Sequence, residues 1–160
     1  MTDEDRQIIA DIVTRIRDLL VSLDAGTRAV HPLPNDAEQL EALPPLQKLV
    51  ASGYLKTVEQ LEDQLARLFR TILVVNDVDL TGLFARDIAD MMDKLEIVDD
   101  ADRWSALVKL RNKLVHDYPL TGASRLARLI EADAAAPFIK VTAERALAYL
   151  QRRGWLEKQS

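Results

Sequence analysis

The sequence predicts an all-α fold, a mostly antiparallel bundle of about five helices in one domain covering residues 1–160. Three observations carry this prediction. Apolar residues recur at spacings of three and four along each long segment, which places them on one face of a helix. No stretch shows the strict alternation of a half-buried strand, and no internal repeat stands out. Between the periodic segments stand the residues that start and stop helices: Thr, Asn, Asp, Gly and Pro.

The first helix is expected over Asp3–Leu23, where Ile8, Ile9, Ile12, Ile16, Leu19, Leu20 and Leu23 form one stripe. Thr2 and Asp5 have the spacing of a capping box with Asp in place of Glu, and Gly26 reads as a stop. Residues 25–44 read as an irregular connection containing Pro32, Pro34 and Pro44, longer than usual between bundle helices. Its piece Asn35–Leu43 suits a short helix capped by Asn35. A long second helix is expected from Pro45 to Val75. Its buried side would hold Leu46, Leu49, Val50, Tyr54, Leu61, Leu65, Leu68, Phe69 and Ile72, with Gly53 as the weak point. Thr81 is expected to cap a third helix, Gly82–Leu95, with Leu83, Phe84, Ile88, Met91, Met92 and Leu95 inside. The two methionines read as core filling. Asp99, Asp100 and Asp102 put acids at the start of a fourth helix, which suits its dipole. A fifth helical stretch covers Thr121–Arg152, and Pro137 is expected to kink or split it.

Composition narrows the function classes. With 160 residues the chain can bury a real core. It has no cysteine, which removes disulfides, thiolate metal sites and Cys nucleophiles together and fits a reducing cytoplasm, the expected location. The start MTDEDRQ is too polar for a signal peptide, and no apolar run reaches the roughly 20 residues that span a bilayer. No membrane partner is expected. A net charge of −5 argues against broad, sequence-blind nucleic-acid binding. Charge is unevenly spread, however. Between Arg103 and Arg128 stand Arg103, Lys109, Arg111, Lys113, Arg125 and Arg128, against Asp117 alone. Such a run is as readily a solvated helix face as a phosphate-binding surface.

That basic stretch surrounds the chain's most informative residues, Arg111-Asn112-Lys113-Leu114-Val115-His116-Asp117-Tyr118, of the form R-N-x-x-x-H-x-Y. Arg is a fixed cation suited to phosphate, and His exchanges a proton near neutral pH. Together they are a minimal kit for cutting RNA without a metal. No Asp/Glu/His cluster has metal-ligand spacing, so metal independence is expected. Lys109, Lys113, Arg103 and Arg125 are the expected RNA-binding cations. His31, the other histidine, lies in a proline-rich loop with no acidic or histidine partner at helical spacing, and reads as an ordinary loop residue.

Helix geometry constrains the octet. Trp104, Leu107, Val108, Arg111, Val115 and Tyr118 follow one stripe of the fourth helix, so Arg111 lies on or beside an apolar seam. A buried arginine needs a partner, and an edge of the seam, a second subunit or an anion would each serve. Arg111 and His116, five apart, point about 140° from each other on a straight helix. Asn112 and His116 share a face, so Asn112 can fix the imidazole tautomer. Three arrangements are open for joining Arg111 to His116. Arg111 reaches around the helix, the backbone changes ahead of Pro119, or two copies of the chain share one site across a two-fold axis. Tyr118 reads either as a helix-end tyrosine with a buried ring or as a functional group.

The octet resembles the signature of the HEPN superfamily, R-x4-6-H with a polar residue after the Arg, and more closely its HepT-like branch, R-x4-H-x-Y. The spacing arises by chance in roughly one chain in a few hundred of this length. The resemblance implies a helical homodimer with paired motifs in an interfacial cleft, and a metal-independent endoribonuclease toxin. In that scheme one His116 takes the 2′-hydroxyl proton and the other protonates the leaving 5′-oxygen. Arg111 neutralises the phosphate, Asn112 orients, and a 2′,3′-cyclic phosphate results. It also implies a partner, an MNT-type nucleotidyltransferase antitoxin that uses ATP to place AMP on Tyr118; the chain itself needs no cofactor. After the tyrosine, Pro119-Leu120-Thr121-Gly122 lacks the acidic residue expected there. The alternative is a non-catalytic HEPN-fold partner of a nucleotidyltransferase. A third reading, a plain helical interaction protein, makes the octet an accident.

Overall fold

The computed structural model describes residues 1–116 and 121–156, and these are helical with no strand among them. Among the described residues there are six helices: α1 Asp3–Val30, α2 Ala37–Glu41, α3 Pro45–Val75, α4 Ala85–Lys94, α5 Ala101–His116 and α6 Gly122–Arg152. The four long ones form the bundle. α1 and α3 run antiparallel, with Thr27 level with Tyr54 and Arg15 with Gln60. α5 is antiparallel to α3, with Trp104 against Phe69 and Arg111 against Glu62 and Asp63. α6 is antiparallel to α5, with Arg103 over Phe138 and Lys113 near Glu131. It is also antiparallel to α1, with Asp24 on Lys140 and His31 on Asp133.

Local chemistry sets the helix ends, and it moved several expected boundaries. The Thr2–Asp5 capping box forms, with Thr2 Oγ1 accepting from the Asp5 N–H at 3.1 Å. Gly26 does not stop α1. A Cβ there would meet Tyr54 Cδ2 at 2.7 Å, so this glycine is the place where α3 comes close, and α1 continues to Val30. The irregular connection shrinks to residues 31–44 around α2. Its cap is Asp36 rather than Asn35, with Asp36 Oδ1 accepting from the Gln39 N–H at 2.8 Å. α4 starts three residues later than expected, because Gly82 adopts a φ of 75° and turns the chain out of helical geometry. Thr81 is therefore not its cap. Instead the Phe84 N–H donates to Asp87 at 2.8 Å. Asp100 caps α5, accepting from the Asp102 and Arg103 N–H groups. Pro137 lies inside α6, which continues through it without splitting.

The core runs along the bundle axis. Trp104, Tyr54, Phe69, Ile9 and Leu61 are among its largest fully buried side chains, and the Phe69 and Trp104 rings pack 4.7 Å apart in a tilted pair that truncation to Ala would cost about 3–5 kcal/mol to lose. Three expectations about burial fail. Leu46 and Leu49 are exposed, because α1 ends at Val30 and the first turns of α3 project beyond it. Phe84 precedes α4 and is exposed. On α5 the buried seam is Trp104, Leu107 and Leu110, with Leu114 partly buried, while Val115 is 43% exposed. No helix among the described residues is long and apolar enough to cross a membrane.

Candidate functional site

The motif occupies the last turns of α5. The helix stays regular through His116, so the five-residue step keeps Arg111 and His116 about 140° apart. A backbone change before His116 is thereby removed as a way of joining them. Tyr118 lies outside the described residues. His116 and Asn112 are exposed to solvent. Asn112 was expected to orient the imidazole. Its Oδ1 instead accepts from Arg111 Nη1 at 3.2 Å.

Arg111 leans off the seam edge towards α3. Its Nη2 donates to Asp63 Oδ1 at 2.7 Å, and its Nε lies 3.5 Å from Glu62 Oε2. That second separation is too long for a hydrogen bond, so the ion pair leaves a buried Nε–H without an acceptor among the described residues. Asp63 is half exposed, but the Glu62 side chain is only 4% exposed. Burial pushes the Glu62 carboxyl up to about 7; Arg111 opposes the shift and Asp63 adds to it. The site therefore holds a carboxyl that changes charge near neutral pH, against a guanidinium that does not.

Two cavities meet at this arginine. The larger, about 410 Å³, lies between α3, α4 and α5. Ala66, Ala85 and Val108, over the buried Phe69, Ile88 and Trp104, give it an apolar floor; Glu62, Asp63, Arg67, Arg70 and Arg111 give it a charged wall. The smaller, about 300 Å³, is polar and lies on the α1 side, with Arg15, Lys56, Glu59, Gln60, Asp63 and Arg111 around it. Both fall in the size range of small-molecule sites. A pocket with convergent charges, one with a displaced pKa, is a candidate functional site.

The cations expected to bind RNA are dispersed. Arg103 stacks on Phe138, its guanidinium carbon 4.5 Å from the ring centre. Lys113 sits 3.5 Å from Glu131, and its carbonyl accepts from Arg128. Arg125 pairs with Glu41. These three join α6 to its neighbours. Lys109 is exposed.

Sequence reasoning missed Glu62 and Asp63. A signal was present: Glu62 falls on the α3 stripe of Val58, Leu61, Leu65 and Phe69, and an acid on a buried stripe calls for a cation. Arg111 on the facing seam is that cation. His31 also has a partner that spacing could not reveal. Its Nε2 lies 2.9 Å from both Asp133 oxygens, 102 residues away. Tyr54 donates its hydroxyl proton to the same carboxylate at 3.1 Å and meets Thr27 Oγ1 at 3.1 Å. Burial pushes the Tyr54 phenol up to about 12; Thr27 works against the shift and Asp133 with it. Among the described residues no group of three or more His, Cys, Asp or Glu side chains is arranged to hold a metal ion.

No family model, no curated protein and no solved structure matches this chain.

Proposed function

We propose that this chain is a HEPN-type, metal-independent endoribonuclease acting as a toxin, with its active site formed between two copies of itself. The observation that carries the reading is the position of Arg111. It is a guanidinium on the rim of two cavities, one and a half turns from an exposed His116 on the same helix. Because a regular α5 turns the two side chains apart, a second chain that supplies one of them would let one phosphate meet both without Arg111 reaching around the helix. A two-fold pairing of α5 ends does this. One His116 then removes the ribose 2′-hydroxyl proton while the other protonates the departing 5′-oxygen. Arg111 carries the charge that grows on the phosphate. The residue types require no metal for this chemistry. AMP placed on Tyr118 by a nucleotidyltransferase antitoxin would add an anion beside the cleft and silence it.

The test is expression of the chain alone. Growth arrest relieved by His116→Ala is the expected result. Co-expression with a cognate nucleotidyltransferase should then add about 329 Da to the Tyr118 peptide.

A second reading has its own support. Arg111 is already held by two carboxyl groups, as suits a non-catalytic HEPN-fold subunit that helps a nucleotidyltransferase hold its substrate. Absence of growth arrest together with tight binding to the nucleotidyltransferase would favour it.

A further inference from the structure

Two of the cations that line the cavities differ from those around the motif in one respect. Arg103, Lys113 and Arg125 spend their charge on neighbouring helices. Arg67 and Arg70, on the rim of the larger cavity, have exposed side chains with no charged or hydrogen-bonded partner among the described residues. Arg111 stands between the cavities and lines both. On its far side Arg15 donates to Gln60 at 3.0 Å and Lys56 pairs with Glu59 at 2.8 Å. Lys56, Asp63, Arg67 and Arg70 are spaced seven, four and three residues apart, so they follow one side of α3. At 1.5 Å per residue that row is about 21 Å long. The five cations Arg15, Lys56, Arg67, Arg70 and Arg111 face Glu59, Glu62 and Asp63, so the trough has a cationic excess on a chain of net charge −5.

We infer that the two cavities joined at Arg111 form a track for single-stranded RNA, with a base in the larger cavity and phosphates on Arg67, Arg70 and Arg111, continuing to Arg15 and Lys56. Two features select this ligand. The larger cavity combines an apolar floor, where Ala66, Ala85 and Val108 reach the surface over the buried Phe69, Ile88 and Trp104, with an arginine rim, which matches a flat base attached to an anion. The cations continue beyond that cavity, which matches a strand rather than one nucleotide. The asymmetry of the Arg111 clamp fits as well. Asp63, half exposed, is the carboxylate that an incoming phosphate displaces, while Glu62, almost fully buried, stays and keeps the guanidinium aimed.

The choice of RNA rests on the ribonuclease reading, and the test separates the two. The probe is a short, fluorescein-labelled, 2′-O-methyl oligoribonucleotide, which cannot be cut by 2′-hydroxyl attack, read by anisotropy over a salt series. Wild type and His116→Ala should bind it alike. The Arg67→Ala/Arg70→Ala and Arg15→Ala/Lys56→Ala pairs should each weaken binding about tenfold and reduce the salt slope by about two. All four side chains are exposed, and circular dichroism should show folded proteins. Lys109→Ala/Lys113→Ala should change little. The track is wrong if that control pair loses the binding and the track pairs keep it, or if wild type does not bind. It is equally wrong if AMP or polyglutamate binds as tightly as the oligonucleotide. Intact binding without cleavage of natural RNA would keep the track and sink the ribonuclease; the reverse would sink the track alone.

Discussion

Two polar clusters tie this bundle together, and they are built to opposite standards. In the first, Asp133 on α6 takes His31 from the end of α1 and Tyr54 from α3, and Thr27 meets the Tyr54 hydroxyl. Every member has a hydrogen-bonding partner, and neither described cavity reaches it. In the second, Glu62, Asp63 and Arg111 gather two acids on one cation. One contact is stretched to 3.5 Å, an Nε–H is left unmet, and a cavity opens on each side. A fully satisfied network rigidifies a fold, whereas a partly satisfied one is unfavourable unless something else uses it. The first cluster is built as a clasp; the second is left incomplete, as our ligand-binding proposal requires.

Four substitutions test that contrast. Arg111→Ala should have the largest effect. It should abolish RNA cleavage and leave Glu62 buried without a cation. That loss should destabilise the fold by about 3–5 kcal/mol at pH 8, and by less at pH 5, where Glu62 protonates. Chemical denaturation at the two pH values reads it. Equal losses at both would mean that Glu62 is not the carboxyl concerned.

Glu62→Gln comes next. With the folded carboxyl pushed up from 4.5 to about 7, the folded protein holds a proton between those values that the unfolded chain releases. The stability contributed by Glu62 therefore falls as pH rises from 4.5 to 7, by an amount on the order of 3 kcal/mol. The Gln variant should lack this slope, matching wild type near pH 5 and exceeding it at pH 8. A parallel pair of pH–stability curves would contradict the burial argument.

Tyr54→Phe should cost about 1–2 kcal/mol through its lost hydrogen bonds and leave RNA cleavage unchanged. A drop in activity at unchanged stability would show that the clasp is more than structural. Lys113→Ala should have the smallest effect, about 0.5 kcal/mol or less, since its pair with Glu131 is exposed. A thermal melt is sufficient to check it.

What the sequence revealed divides along the same line. Helical period identified the long helices, because each must bury one stripe whatever its neighbours are. The Thr2–Asp5 cap and the full span of α3 were readable for the same local reason. The connection after α1 was not. Gly26 looks like a stop until the Tyr54 ring is seen against it. Gly82, which does interrupt the chain, looks like the first residue of a helix. Within the site, R-N-x-x-x-H-x-Y was visible as a string, and so was the likelihood that Arg111 would sit on a seam edge. Its pairing with Glu62 and Asp63, 49 and 48 residues away, was not read: Glu62 on the buried α3 stripe signalled the need for a cation, but sequence separation hid which one. The basic run misled for a related reason: charge along the chain does not tell which cations are spent on other helices.

The ribonuclease claim is tested most directly by incubating purified wild type and His116→Ala with a defined single-stranded RNA in EDTA and mapping the ends. Cleavage by wild type leaving 2′,3′-cyclic phosphates, reduced about a hundredfold or more in the variant, is the expected result. A folded, unmodified wild type that leaves the RNA intact, or a His116→Ala protein that cuts as well, would contradict it.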